Sequence, residues 1–224
     1  MKRARQALPV LALIALALAL GCGPERRYDQ AIGVLIDTSG TYADEKVETV
    51  RVIKREILPN MVPGDTLIVI RIDSESYDKE NVEALLTLDN RPSHANAQKL
   101  ALARQLDKFA SEKGGSSYTD IPGAVMLASE YLSEIGSGSR VLLIFSDMQV
   151  DLPKGASRTF SESELEDTHV IAMNVKRLKH DSADPIGFRK RLASWEKRVM
   201  KAGALDWRTF MDAAKLPDYL AEIR

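Results

Sequence analysis

Apolar residues in this chain gather into short runs that end in small polar side chains. Residues 31–36 contain only apolar residues and glycine, and strongly apolar runs also occupy residues 66–72 and 141–145. Uninterrupted apolar runs of this length are typical of strands that are buried on both faces of a sheet. We therefore expect these three segments to be buried strands.

Between the apolar runs, apolar residues recur at helical spacing. Val47, Val50, Ile53 and Ile57 predict the first helix, and Pro122 suits the first turn of a later helix. Residues 82–88 follow strand 66–72 after about nine residues, a gap that favours an antiparallel hairpin over a helical crossover. The predicted order is strand 31–36, helix 47–57, strand 66–72, strand 82–88, helix 94–113, helix 121–135, strand 141–145, strand 169–175, helix 185–201, strand 204–209 and helix 210–223.

This alternation of strands and helices predicts the fold class. Parallel strands joined by helical crossovers form a sheet that is covered by helices on both faces. We expect an α/β domain over residues 31–224, with a doubly wound, mostly parallel six-stranded sheet and one antiparallel edge strand. Residues 151–168 are polar and rich in Ser and Glu, with a short helix expected from Ser161, and they form either a solvated connection or a recognition loop.

The first residues of the chain have the pattern of a secretory signal. Residues 1–21 have a basic start followed by an apolar run, which is shorter than the roughly 20 residues that span a bilayer. The run ends at Cys22 and resembles the bacterial lipobox, in which cleavage leaves a lipid-bearing cysteine. We expect a lipoprotein signal peptide over residues 1–21, a lipid on Cys22 and a short tether over residues 22–30. The alternative is an uncleaved membrane anchor.

Charge and cysteine content limit the classes of function that the chain can have. The chain has 31 Lys and Arg against 32 Asp and Glu, and removal of residues 1–21 takes away three positive charges, leaving a net charge of −4. No basic stripe with interleaved aromatic residues is present, so nucleic-acid binding is not supported. Cys22 is the single cysteine, so the chain cannot form an internal disulfide, and a lipid accounts for a cysteine at this position.

Oxygen-bearing side chains follow two of the buried strands. Asp37, Ser39 and Thr41 come directly after strand 31–36, and Asp147 ends the segment that follows strand 141–145. Carboxylates and hydroxyls are hard ligands that suit Mg²⁺ or Mn²⁺. A strand-to-helix turn with a capping residue is the alternative explanation of the first group. Asp120 fits a helix N-cap, which leaves Thr119 unexplained.

The sequence here resembles a von Willebrand factor type A domain. The resemblance rests on residues 37–41 (DTSGT), on residues 119–122 (TDIP) after a Gly-Gly pair, and on residues 146–147 (SD) at the end of an apolar strand. It implies a metal-ion-dependent adhesion site, in which Asp37, Ser39, Thr41, Thr119 and Asp147 surround one Mg²⁺ or Mn²⁺. Two positions depart from the family pattern: Met148 stands where Gly is common, and Tyr118 stands where a small residue is common.

The resemblance implies a binding function. A partner protein would supply an acidic residue to the metal, in adhesion or in assembly of a cell-envelope complex, and no bond would be broken. One alternative is a metal-dependent phosphatase of the haloacid dehalogenase type, which needs a second Asp two positions after the first. This chain has Ser39 there. The other alternative is a metal-independent scaffold that binds through residues 151–168.

Overall fold

The structure is a computed structural model that describes residues 27–40, 45–112, 115–173 and 185–224. Its strands and longer helices follow the predicted order. They are β1 (Gln30–Asp37), α1 (Lys46–Val52), β2 (Thr66–Ile72), β3 (Val82–Thr87), α2 (Pro92–Ser111), α3 (Ile121–Ile135), β4 (Ser139–Phe145), β5 (Thr168–Met173), α4 (Pro185–Lys201), β6 (Asp206–Phe210) and α5 (Leu216–Glu222).

The strands of the described residues form one six-stranded sheet in the order β3-β2-β1-β4-β5-β6. β1 pairs in parallel with both β2 and β4, and β3 is the antiparallel edge strand beside β2. The predicted fold class is confirmed. Because all strands except β3 run in the same direction, their carboxyl ends lie at one edge of the sheet, which we call the carboxyl edge.

The two faces of the sheet carry separate apolar cores. One core joins the sheet to α1, α2 and α5, and the other joins it to α3 and α4. All eight residues of β1 are buried, as expected for a strand that is covered on both faces. A Cβ at Gly33 would lie only 3.1 Å from a methyl group of Leu142 and 3.6 Å from one of Leu132. The missing side chain of Gly33 therefore lets α3 pack closely on the centre of the sheet.

The helix after β1 is less regular than its spacing predicts. α1 continues as a π-helical turn (Ile53–Ile57) and a 3-10 turn (Leu58–Asn60). Val50 is buried, whereas Val47, which was predicted on the same face, is 52% exposed. The buried side of α1 is formed by Lys46, Thr49 and Val50, so Val47 lies off the face on which its spacing places it.

Two further local expectations are wrong. The chain from Ser161 forms hydrogen-bonded turns and no helix, because the amide of Leu165 donates to the carbonyl of Ala202 (2.8 Å) outside the segment. The closing helix is shorter than residues 210–223, since Phe210 still belongs to β6 and pairs with Met173.

A polar cluster joins β5, β6 and α5. Tyr219 donates its hydroxyl to Asp206 Oδ2 (2.7 Å), Arg208 Nε donates to the same oxygen (3.2 Å), and His169 Nδ1 lies 3.1 Å from Asp206 Oδ1. Burial alone would raise the pKa of Asp206, but the hydrogen bonds from Tyr219, Arg208 and His169 outweigh it and lower that pKa. The ionised carboxylate therefore helps to hold the last strand and helix on the sheet.

Replacing Asp206 by Asn is expected to destabilise the protein at neutral pH and to matter less in acid. Because folding holds the pKa of Asp206 below its usual 3.8, the ionised carboxylate adds stability that is complete above that pH and is lost as the pH falls through the folded value. Urea unfolding of the wild type and of Asp206→Asn across an acid series measures this, with the exposed Asp167→Asn as control. A pH-independent difference in the free energy of unfolding would contradict the expectation.

Candidate functional site

Three loops at the carboxyl edge are joined to one another. We call them the first loop (residues 38–40), the second loop (residues 115–120) and the third loop (residues 146–151). Ser116 donates its amide to the carbonyl of Thr38 (3.3 Å), which links the first and second loops. Thr119 and Asp151 exchange two backbone hydrogen bonds of 2.7 and 3.1 Å, which link the second and third loops. The three loops therefore form one continuous rim.

Asp37 lies at the centre of this rim and is fully buried. Its Oδ1 accepts hydrogen bonds from the amide (2.9 Å) and the hydroxyl (2.5 Å) of Ser39, and its Oδ2 accepts one from the hydroxyl of Ser146 (2.6 Å). These bonds fix the orientation of the carboxylate. All three donors are uncharged, so they stabilise the negative charge of Asp37 without neutralising it.

A second carboxylate adds to the negative charge of the rim. Asp147 is 4% exposed, and its Oδ1 accepts the amide of Gln149 (2.8 Å). Burial raises the pKa of Asp37, the hydrogen bonds from Ser146 and Ser39 oppose that rise, and the nearby charge of Asp147 adds to it. Two buried carboxylates close to each other, with Asp147 opposing the ionisation of Asp37, make this rim attractive to a cation.

Thr119 is held in the rim by its backbone and by its neighbour. Thr119 is only 7% exposed, and its isolated antiparallel bridge with Asp151 fixes its main chain. The next residue, Asp120, donates its amide to the carbonyl of Asp73 (2.9 Å) and accepts the amide of Gly123 (2.8 Å). The expectation that Asp120 caps α3 is confirmed, and the cap places Thr119 immediately before the helix.

Ser146 is a rim residue that was not among the predicted site residues. Its hydroxyl donates to Asp37 and also accepts the amide of Met148 (3.0 Å), so it joins the end of β1 to the third loop. The sequence does carry a signal for it, because Ser146 directly follows an apolar strand and precedes a predicted ligand. Only the pairing of β1 with β4 shows that the carboxylate of Asp37 accepts its hydrogen bond.

The backbone at Met148 has a conformation that favours glycine. Its φ is 63°, in the left-handed region where side chains cost about 1–2 kcal/mol and glycine does not. Two contacts offset the cost: the side chain of Met148 is 1% exposed, and its carbonyl accepts the indole N–H of Trp195 (2.8 Å). The buried residue Trp195 is thus also a partner of the third loop.

The structure brings most of the predicted ligands to one place. Asp37, Ser39, Thr119 and Asp147 all belong to the rim, whereas Thr41 and the expected lipidation site Cys22 lie outside the described residues. Tyr118, which departs from the family pattern, is 38% exposed beside Thr119.

The chemistry of these donors suits a hard divalent cation. Within residues 27–40, 45–112, 115–173 and 185–224, no group of three or more His, Cys, Asp or Glu side chains could hold a metal ion. The rim instead combines the carboxylates of Asp37 and Asp147 with the hydroxyls of Ser39 and Thr119. Each hydroxyl oxygen has lone pairs for a cation, and oxygen-only donors with two carboxylates fit Mg²⁺ or Mn²⁺.

Comparisons with known proteins give structural matches only. No protein-family model matches the sequence, and no curated protein matches it significantly. The chain is similar to the PilB minor pilin from Streptococcus sanguinis, with a TM-score of 0.53 and 9% identity over 90% of this chain. It spans 62% of the PilB chain. At this identity the similarity shows a shared fold.

Two further solved structures are less similar to this chain. A von Willebrand factor type A protein from Catenulispora acidiphila aligns with a TM-score of 0.44 and 12% identity, covering 87% of this chain and 41% of that chain. BatB from Bacteroides thetaiotaomicron aligns with a TM-score of 0.43 and 12% identity, covering 87% and 95%.

In the described part of the chain, no helix has the length and apolar composition needed to cross a membrane.

The left-handed backbone at Met148 predicts that the glycine variant is more stable than the alanine variant, the reverse of the usual order. Met148→Gly and Met148→Ala both remove the buried side chain, but only glycine adopts a φ of 63° without strain. Met148→Gly should therefore be more stable than Met148→Ala by about 1 kcal/mol, whereas glycine is usually the less stable of the two in regular structure. Denaturant unfolding of both variants measures the difference, and a more stable Met148→Ala would show that the third loop relaxes.

Proposed function

We propose that this chain is an exported, lipid-anchored von Willebrand factor type A domain that binds a partner protein through a divalent cation. The observation that carries the proposal is the rim itself, where two buried carboxylates and two hydroxyls from three linked loops lie at the end of the central strand. The minor pilin PilB has the same fold, which is consistent with a role in protein–protein binding.

The cation would be held by the five predicted ligands. Asp37 and Asp147 supply negative charge that balances a divalent ion, and Ser39, Thr41 and Thr119 supply hydroxyl oxygens. The bound ion supplies an open coordination position that favours a carboxylate from the partner. The task of this chain's own residues is to orient those oxygens and to keep the site partly dehydrated, which strengthens the attraction between opposite charges.

The position of the leading segment supports a site that faces away from the membrane. Arg27 donates to the carbonyl of Gly136 (2.6 Å), and Asp29 accepts the amide of Ser139 (3.2 Å), so both lie at the amino end of β1. Asp37 ends the same strand, and its eight residues span about 26 Å at 3.3 Å per residue. With a lipid on Cys22, the membrane and the rim lie at opposite ends of β1.

The phosphatase alternative has less support. Phosphatases of that type use a second carboxylate, two positions after the nucleophile, to transfer the proton, and Asp37 would be the nucleophile here. The residue two positions later is Ser39, whose hydroxyl is not an acid or base near neutral pH. Hydrolysis of a generic phosphomonoester that is lost in Asp37→Asn would support the enzyme instead.

One observation favours the metal-independent scaffold. Residues 154–157 are exposed at the tip of the segment that was considered as a recognition loop. The remainder of that segment is held to the domain, with Leu165 fully buried. A partner that stays bound in excess chelator and is lost when the tip is replaced would favour this function.

Titration of Mg²⁺ and Mn²⁺ into the full-length protein in a non-ionic detergent tests the proposal. We expect one ion per chain, loss of binding in Asp37→Ala, and affinity at least about tenfold lower in Thr119→Ala, which is equivalent to roughly 1.4 kcal/mol. Losing Asp37 removes a charged ligand from the centre of the rim, whereas losing Thr119 removes one neutral oxygen.

Asp151→Asn is the matched control. Asp151 has an exposed side chain on the same rim, so its replacement makes the same change in net charge without removing a proposed ligand. Binding that is unchanged in Asp37→Ala, or that falls equally in Asp151→Asn, would contradict a specific cation site.

A further inference from the structure

Arg158 reaches from the segment between β4 and β5 to a buried carboxylate of the second loop. We call residues 152–167 the β4–β5 segment. The Nε and Nη2 atoms of Arg158 lie 3.1 and 3.0 Å from Oδ2 of Asp120, which is fully buried. Asp120 follows Thr119 directly, so the ion pair lies one residue from a proposed metal ligand. A buried carboxylate without a positively charged partner destabilises the folded protein. The ion pair with Arg158 therefore stabilises the conformation of the second loop.

The carboxylate of Asp120 has little freedom to move. Its Oδ1 accepts the amide of Gly123 in the first turn of α3 (2.8 Å), while its Oδ2 accepts from Arg158. A Cβ at Gly123 would collide with this carboxylate, so the side chain of Asp120 packs directly on the start of the helix. A shift of Arg158 is therefore transmitted to the backbone on which Thr119 lies.

The same segment is also connected to the third loop. The backbone carbonyl of Arg158 accepts from Arg198 of α4 (2.5 Å), and the guanidinium of Arg198 lies over the rings of Phe160 (4.3 Å) and Trp195 (5.2 Å). Trp195 in turn donates to the carbonyl of Met148 (2.8 Å). The contacts of Arg158 and of α4 thus link the loop of Thr119 with the loop of Asp147.

We propose that Arg158 is a positioning residue for the cation site. It holds the second loop through Asp120, and its backbone is held by the helix that also holds the third loop, so it sets the position of Thr119 relative to Asp147. The β4–β5 segment therefore regulates the affinity of the rim for its cation. This inference rests on the proposed function.

The test measures Mg²⁺ and Mn²⁺ affinity of the full-length protein in detergent for a set of variants. Arg158→Ala should weaken binding about tenfold, within the range found when groups behind a metal ligand are removed. Arg158→Lys should restore part of the loss. In an Asp120→Asn background, which keeps an amide oxygen for the helix cap, Arg158→Ala should have little further effect, because the pair is already disrupted.

Arg224→Ala provides a matched control for general destabilisation. Arg224 makes a similar pair with another fully buried carboxylate, Asp65 (2.8 and 2.9 Å), at the opposite end of the sheet. Its removal should lower stability without changing cation affinity. If Arg158→Ala does not fold, Arg158→Lys and Asp120→Asn carry the same test, since each weakens the pair and keeps most of its volume.

The outcomes separate the two proposals. Unchanged affinity in the Arg158 variants, with binding intact in the wild type, would overturn the positioning role and leave the cation site standing. Equal loss in Arg224→Ala, or undiminished loss from Arg158→Ala in the Asp120→Asn background, would also overturn it. A wild-type protein that binds neither ion would overturn both proposals.

Discussion

The burial of Asp37 is the constraint on which the rest of the rim depends. A carboxylate that loses contact with water must be stabilised by hydrogen bonds, by opposite charge or by protonation. Ser39 and Ser146 supply hydrogen bonds from two different loops, so stabilising one carboxylate also joins the ends of β1 and β4. Asp147 opposes this stabilisation, because its negative charge raises the pKa of Asp37. Hydrogen bonds therefore orient the carboxylate of Asp37 without neutralising its charge, and the cation that we propose would supply the opposite charge.

Hydrogen bonds between the loops hold the described residues around Asp37 in place. Backbone bonds join the second loop to both of its neighbours, and the amide of Asp120 reaches the end of β2. The third loop contains a residue in the left-handed region, Met148, whose strain is held by a buried side chain and by Trp195. Strained backbone next to a proposed ligand is typical of positions where function and not stability has set the conformation.

The sheet could be predicted from the sequence because its central strands carry uninterrupted apolar runs. The gap before residues 82–88 was enough to place the antiparallel edge strand, and Pro122 with Asp120 marked the start of α3. The errors come from contacts between distant segments. The carbonyl of Ala202 accepts the amide of Leu165 and so prevents a helix from Ser161. The spacing of residues along the sequence does not reveal this bond. Helical periodicity likewise predicted Val47 on the buried face of the helix, but Val47 is 52% exposed.

The same limit applies to the site. Asp37, Ser39, Thr119 and Asp147 stand in short motifs, so a linear pattern was sufficient to select them. Arg158 is an isolated basic residue in a polar segment, and only the packing of that segment onto α3 and α4 shows that it meets a buried carboxylate. Sequence reasoning therefore selects candidates for direct ligands more readily than candidates for positioning residues.

The structure also changes the relation between the two binding functions considered for this chain. A recognition loop and a cation site would be independent if the β4–β5 segment were only a solvated connection. Glu164 accepts the hydroxyl of Ser129 in α3 (2.9 Å), and Arg158 pairs with Asp120, so the segment is fastened to the helix that follows the second loop. Its exposed tip and the rim consequently share structural elements. If a partner on the tip shifts Arg158, that partner and a cation at the rim change each other's binding free energy by the same amount, because binding linkage is reciprocal.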